Sequence, residues 1–147
     1  MEIKAILQKP YTKTQKMDFI IEYNHNQGYE INETETELQA LGYTEEEKAQ
    51  KERERLDMLF LTGADVERGI YQAIGKDFED IVEMVTQLQP EGLDIKALKI
   101  ELKANHFYRG NPYVSAIGGL LGFTIGQLDK FFETNDYTVL LPTEVEE

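Results

Sequence analysis

The residues best suited to bind a partner lie in one short stretch, HFYRGNPY, at positions 106–113. Tyrosine and arginine are enriched among the side chains that carry most of the binding energy in protein interfaces. The stretch therefore provides four candidate partner-binding residues: Tyr108, Arg109, Asn111 and Tyr113. A structural role is the alternative, because Phe107 and Tyr108 could end a buried helix. Asn111 followed by Pro112 is also a strong signal for the start of the next helix.

A second candidate surface is the acidic run ETETE, at positions 33–37. In an extended chain the side chains alternate between two faces, so the glutamates of this run would share one face. Such a strand could pair with a partner at the edge of a sheet, which makes candidates of Glu33, Glu35 and Glu37. Charges on edge strands more often prevent pairing, so the same residues could instead be protective.

Several kinds of catalytic and metal site are disfavoured by what the sequence lacks. It has no cysteine and only two histidines, His25 and His106, which are far apart in the chain and argue against a zinc site. No calcium loop, dinucleotide-binding glycine motif or Walker sequence occurs. The single serine, Ser115, lacks the G-x-S-x-G context of a serine hydrolase. We therefore expect no catalytic residues, no cofactor and no metal, and a protein that is not an enzyme.

The chain is strongly acidic, with 28 acidic and 15 basic residues and a net charge of −13. This charge repels phosphate backbones, so we expect no direct binding to nucleic acid. It could suit a basic groove on another protein. The opening MEIKAILQKP has charges within any apolar core, which argues against a signal peptide, and we expect no membrane association.

The first 42 residues predict a small β-α-β element. Ile3, Ala5 and Leu7 alternate with polar residues, which indicates a short strand. Residues 12–27 have a helical pattern with Gly28 as its stop. Residues 33–40 alternate again and favour a second strand. A helix over residues 29–41 stays open, although Glu33 and Glu37 would repel each other one helical turn apart.

A polar connecting helix is predicted over residues 43–60. Thr44 and Glu47 have the spacing of a capping box, and acidic residues crowd the first turn, where the helix dipole favours them. The segment has almost no apolar stripe as far as Arg55, so this part should be exposed. Leu56, Leu59 and Phe60 are expected to return to a core.

Residues 61–135 predict a bundle of about five short helices. Each would begin at a capping residue: Thr62, Asp77, Asp94, Asn111 and Thr124. A strand remains possible at residues 95–102, because LKIEL also alternates. Gly118 and Gly119 would allow another backbone to come close.

The end of the chain, residues 136–147, contains TVLL at 138–141, which could be a strand joining the N-terminal pair, and then an acidic tail. The predicted fold class is therefore α+β. It consists of the N-terminal β-α-β element, the polar connecting helix and the helical bundle.

Two stretches resemble small proteins encoded by phages and prophages of Gram-positive bacteria. The first is PYTKTQKMDFIIEYNHNQGYEINETETELQALGYTEEEKAQKERER, and the second combines LTGADVERGIYQA with IKALKIELKANHFYRGNPYVSAIGGLLGFTIGQLDKFF. The resemblance implies genes near those for tail fibres, baseplates or lysis, and hence a tail-associated or late accessory role. It also implies that the first module recurs ahead of different helical endings, as an adaptor would. It carries no functional residues over to this chain.

These observations favour a non-enzymatic phage accessory protein that acts through protein–protein contacts, associated with the tail or baseplate. Its partner would be a phage tail or fibre component. The alternative is a phage-encoded acidic inhibitor of a host defence protein, which would occupy a basic nucleic-acid groove. We expect the protein in the cytoplasm of the host bacterium, and leave open its incorporation into the virion and its oligomeric state.

Overall fold

The computed structural model describes residues 1–142, which divide into two compact units. The first unit runs from Met1 to Glu52, and the second begins at Arg53. The division lies within the polar helix that the sequence predicts. Helices and antiparallel strands are both present, so the predicted α+β class is confirmed.

The first unit is a three-stranded antiparallel sheet with one helical segment between its first two strands, and it ends within the polar helix. Strands β1, β3 and β2 lie side by side in that order, so β3 is central and the other two are edges. The elements are β1 (Glu2–Gln8), α1 (Lys13–Ile20) with a π-helical continuation (Ile21–Asn26), β2 (Glu30–Glu33) and β3 (Glu37–Gly42).

The predicted helix and second strand are both present, and the strand is divided in two. Thr12 and Gln15 form a reciprocal capping box at the start of α1, and Gly28 follows the helical segment with a φ of +77°. The ETETE run is a hairpin rather than one strand. The Thr34 hydroxyl accepts from the backbone N–H of Glu37 and donates to its carbonyl, and thereby closes the turn between β2 and β3.

A bulge in β1 reverses the face occupied by Ile3. Ile3 pairs with Leu41 while Ala5 pairs with Ala40, so Lys4 is an extra residue in the ladder. Ala5 lies on the face that packs around Phe19, Leu38 and Ala40, the buried residues of this unit. Ile3 lies on the opposite face and is exposed, although its spacing from Ala5 predicted a shared face.

Helix α2 (Glu45–Asp57) is the predicted polar helix, and none of its residues is buried. Thr44 and Glu47 make the expected reciprocal capping contacts at its start. The prediction that Phe60 returns to a core is wrong. Strand alternation turns Leu59 and Leu61 toward the core, whereas Phe60 is 59% exposed.

The second unit packs five short α-helices around a two-stranded antiparallel ribbon, and the predicted bundle of about five helices is confirmed. Residues 95–102, for which a strand remained open, lie in a helix and its C-cap. The elements are β4 (Phe60–Thr62), α3 (Gly63–Ile74), α4 (Phe78–Leu88), α5 (Ile95–Glu101), β5 (His106–Tyr108), α6 (Pro112–Leu120), α7 (Ile125–Thr134) and a 3-10 helix (Tyr137–Leu140).

The strand predicted at TVLL is wrong, because its first three residues lie in the 3-10 helix and Leu141 is the C-cap. The Asp136 carboxylate accepts from the backbone N–H and the hydroxyl of Thr138, which starts a helical turn. Leu140 is then buried in the core of the second unit. The expected acidic tail extends into residues 143–147, which lie outside the described range.

The core of the second unit is apolar and larger than that of the first. Its buried residues are Val66, Ile70, Ile81, Val85, Leu98, Phe107, Ile117, Phe123, Leu128, Phe131, Phe132 and Leu140. All of them except Val85 line a small apolar cavity of about 50 Å³. Gly118 brings α6 close to the Leu128 side chain, 2.6 Å from where a Cβ would stand, rather than to a backbone as predicted. Nothing lies within 4 Å of the equivalent point at Gly119.

Candidate partner-binding surface

The β4–β5 ribbon presents two different faces. Phe60 pairs with Tyr108, Leu61 with Phe107, and Thr62 with His106. Because side chains alternate along a strand, Phe107 is directed into the core while His106 and Tyr108 are directed away from it. The alternation continues one residue past the strand, where Arg109 is again buried, at 3% exposure. We call these the inner and outer faces of the ribbon.

Beyond the inner face, Arg109 joins an ionic cluster. Its Nε donates to Asp129 Oδ1 at 2.8 Å, and a terminal nitrogen donates to Ser115 Oγ at 3.0 Å. Arg53 also binds Asp129, to which its terminal nitrogens donate two hydrogen bonds of 2.8 and 3.0 Å. The Nε of Arg53 donates to Asp57 at 2.9 Å. One carboxylate thus accepts directional hydrogen bonds from two guanidinium groups, and Asp57 supplies the second negative charge of the cluster.

The electrostatics of the cluster follow from this geometry. Burial alone would raise the pKa of Asp129, but hydrogen bonds from Arg53 and the charges of Arg109 and Arg53 outweigh it and hold the pKa below its usual value. The hydrogen bond to Asp129 in turn raises the pKa of the Arg53 guanidinium. Asp129 and Arg53 therefore stay charged at neutral pH, and the cluster links the last residues of α2, the residue after β5 and α7.

The outer face is an exposed aromatic cluster made of Phe60, His106 and Tyr108. The ring centroid of Phe60 lies 5.6 Å from that of His106 and 5.7 Å from that of Tyr108. The ring centroids of His106 and Tyr108 are 5.3 Å apart. Tyr108 is 43% exposed, and Met58, two residues before β4, is 69% exposed. These rings contact one another at edge or tilted angles, which is a favourable aromatic geometry, and their outer surfaces remain open to solvent.

The four predicted partner-binding residues of the 106–113 stretch therefore occupy different environments. Tyr108 lies on the exposed cluster. Arg109 is enclosed by its ionic cluster and is almost fully buried, which favours a structural role for it over the predicted binding role. Asn111 caps α6 by accepting from the backbone N–H of Tyr113, and its amide donates to Glu101 at 3.0 Å. Tyr113 is half-buried against the apolar core.

The three predicted glutamates of the first unit also occupy different positions. Glu33 ends the edge strand β2 and pairs with Lys16 at 2.7 Å and Lys9 at 3.4 Å. Hydrogen bonding to Lys16 is the main reason that its pKa is lowered to about 2. Glu35 is exposed in the hairpin turn. Glu37 lies on the central strand β3, away from either edge, and its carboxylate accepts from Gln39. The glutamates do not form one acidic edge.

Sequence reasoning missed Phe60 and His106 as members of the exposed cluster. Each belongs to a strand of only three residues, too short for alternation to be distinguished from chance. The two strands are also separated by α3, α4 and α5, so no local signal links them. The available signal was the sequence HFYR itself, in which buried and exposed positions alternate.

Comparison with known proteins gives no further assignment: no protein-family model, curated protein or solved structure matches this chain. Within residues 1–142, no group of three or more histidine, aspartate or glutamate side chains is placed to hold a metal ion. No helix of that range is long and apolar enough to cross a membrane. The exposed aromatic cluster is therefore the strongest candidate site.

Proposed function

We propose that this chain is a non-enzymatic accessory protein of a phage or prophage of Gram-positive bacteria. In this proposal it is associated with the tail or baseplate and binds another phage protein through the outer face of the ribbon. The phage context rests on the sequence resemblance. The mode of action rests on one observation, the exposed cluster of Phe60, His106 and Tyr108.

The cluster has the chemistry of a protein-binding site. Aromatic side chains contribute large apolar areas at a small cost in conformational entropy, and tyrosine adds a hydroxyl that can hydrogen-bond at the rim. The three rings already contact one another, so a partner would meet a surface that is largely organised before binding. A groove or pocket that accepts one or two aromatic rings is the expected counterpart.

The acidic surface supports a second candidate, an inhibitor of a host defence protein that occupies a basic nucleic-acid groove. The net charge of −13 is the observation that favours it. The two functions differ in their response to salt. A contact between exposed charges weakens steeply as salt is added, whereas a contact of aromatic and apolar groups weakens little.

The function is tested by quantitative mass spectrometry of particles purified from the induced prophage that encodes the chain. The proposal predicts a fixed number of copies for each particle, retained when the particles are washed at high salt. Abundance in the lysate without any copy in the particles would contradict a tail-associated role. Release from the particles at moderate salt would favour the electrostatic mode of the inhibitor.

A further inference from the structure

An open groove between α4 and α5 lies outside the ribbon surface. It has a volume of about 640 Å³, and Phe78, Val82 and Leu102 form its apolar floor. All three side chains are only partly buried. Binding of a partner that covers apolar surface in an open groove is favourable, because it removes that surface from water.

The walls of the groove carry opposite charges. Glu79 and Glu83 line the α4 side, and Lys99 and Lys103 line the α5 side. Among the described residues, none of these four side chains forms an ion pair or hydrogen bond with another group. The groove is therefore dipolar, with two unpaired carboxylates along one wall and two unpaired ammonium groups along the other.

This dipolar arrangement stands out in an acidic chain. Helix α4 contains three acidic residues and no basic one, whereas the segment from 95 to 103 has three lysines and a single glutamate. On the acidic wall, Glu79 and Glu83 are four residues apart on α4, which is about 6 Å of rise along a helix, whereas Lys103 lies just beyond the C-cap of α5. Each wall therefore carries two like charges, four positions apart in the chain.

A surface with this pattern is complementary to itself. When two copies face each other across a two-fold axis that runs along the groove, the rotation exchanges left and right. The acidic wall of one copy then faces the lysine wall of the other, and the reverse holds at the same time, as in any isologous interface. A partner with one sign of charge would instead meet repulsion at one wall.

We propose that the α4–α5 groove is a homodimerisation surface that binds the same groove of a second copy of this chain. The apolar floors are buried against each other, and the four charges of each copy pair with the opposite charges of its neighbour. The interface is separate from the outer face of the ribbon, so a dimer would present two aromatic clusters. The proposal does not depend on the identity of the phage partner.

Charge reversal tests this pairing directly. Sedimentation equilibrium of the full chain should give a mass that rises with concentration from 17.0 kDa toward twice that value. E79K/E83K makes both walls basic and K99E/K103E makes both walls acidic, so each variant alone should dimerise roughly a hundredfold or more less well. An equimolar mixture should recover the dimer, because the basic groove then faces the acidic one.

Two controls accompany the reversal. E35K/E91K changes the net charge by the same amount as E79K/E83K at exposed turn positions outside the groove, and should dimerise at least as well as the unchanged chain. Circular dichroism and thermal melting establish that each variant is folded. If the reversed variants melt early, E79Q/E83Q and K99Q/K103Q replace them, and each should weaken the dimer about tenfold.

Three results would overturn the proposal. The unchanged chain could remain a single chain at every concentration, in which case any occupant of the groove is another molecule. The dimer could form but survive both reversals, which would place the interface elsewhere. The mixture of folded reversed variants could also fail to associate, which would exclude the two-fold pairing of the walls.

Discussion

The two faces of the β4–β5 ribbon use neighbouring residues for opposite purposes. On the inner side, Phe107 packs into the core and Arg109 is enclosed by an ionic cluster. On the outer side, His106 and Tyr108 join Phe60 in an aromatic cluster open to solvent. The comparison teaches that residue type alone does not identify a binding residue. In this ribbon, strand alternation buries the arginine in an ionic cluster and leaves the tyrosine exposed, where the proposed binding requires it.

The largest expected effect comes from the inner face. Phe107→Ala removes a ring that is only 4% exposed, next to an existing cavity of about 50 Å³. We expect a loss of about 3–5 kcal/mol in the free energy of unfolding, because the lost apolar contact and the enlarged cavity both contribute. Urea denaturation followed by circular dichroism measures it. A loss below about 1 kcal/mol would contradict the placement of this ring in the core.

The ionic cluster should give the next largest effect. Asp129→Asn removes the charge that faces Arg109 and Arg53, and should cost about 2–3 kcal/mol, because hydrogen bonds to charged groups are lost and a buried guanidinium is left uncompensated. Glu133→Gln is the matched control one helical turn later. Its pair with Arg55 is exposed, so it should cost at most about 1 kcal/mol. Equal losses in the two variants would show that burial of Arg109 has no energetic consequence.

The outer face should be almost neutral for stability. The double variant Phe60→Ser, Tyr108→Ser removes the directly opposed cross-strand pair and both ring contacts to His106, and we expect a loss of about 0.2–1 kcal/mol. Thermal melting of the double variant and of the Phe107→Ala variant under the same conditions compares the two losses in stability directly. A loss as large as that of Phe107→Ala would mean that the outer rings stabilise the fold, and the functional distinction between the faces would fail.

The smallest effect is expected at Glu33, in the first unit, where a carboxylate again lies between two cations but is exposed. Its pKa in the folded chain is about 2, against an ordinary value of 4.5. A lowered pKa stabilises the fold above the ordinary value, and this contribution is lost as the pH falls toward 2. The difference in unfolding free energy between the unchanged chain and Glu33→Gln should therefore shrink over that range. Glu35→Gln, at an exposed position in the turn, is the control. If it changes the unfolding free energy by the same amount and with the same pH profile as Glu33→Gln, the stabilisation is not due to the Glu33 carboxylate.

The helix starts of the second unit were predictable from sequence, whereas features that depend on distant residues were not. Capping residues such as Thr62, Asp77 and Thr124 act on groups three residues away, and each caps its helix as expected. The ribbon depends instead on pairing between segments that three helices separate, and its strands are too short for a periodic signal. Likewise, one extra residue at Lys4 reverses the face of Ile3, although the alternation in the sequence is intact.

The candidate site was predicted only in part for the same reason. Tyr108 was identified by its residue type, which is a property of the sequence. The burial of Arg109 depends on Asp129, twenty residues later on another helix, and on Arg53, 76 residues from Asp129. A sequence without relatives beside it contains no signal for such pairs. Strand alternation within HFYR was the one local indication that Tyr108 and Arg109 lie on opposite sides.

The most direct test of the central claim compares particle association of chains altered on the outer face and elsewhere. Two variants would each be expressed in place of the unchanged chain and quantified in purified particles. One is the double variant Phe60→Ser, Tyr108→Ser. The other is the control Tyr71→Ser, which removes from α3 a ring as exposed as that of Phe60. The account predicts that the double variant is folded in the lysate and lost from the particles, while Tyr71→Ser is retained at the normal level. Retention of the double variant at that level would contradict a docking role for the aromatic cluster.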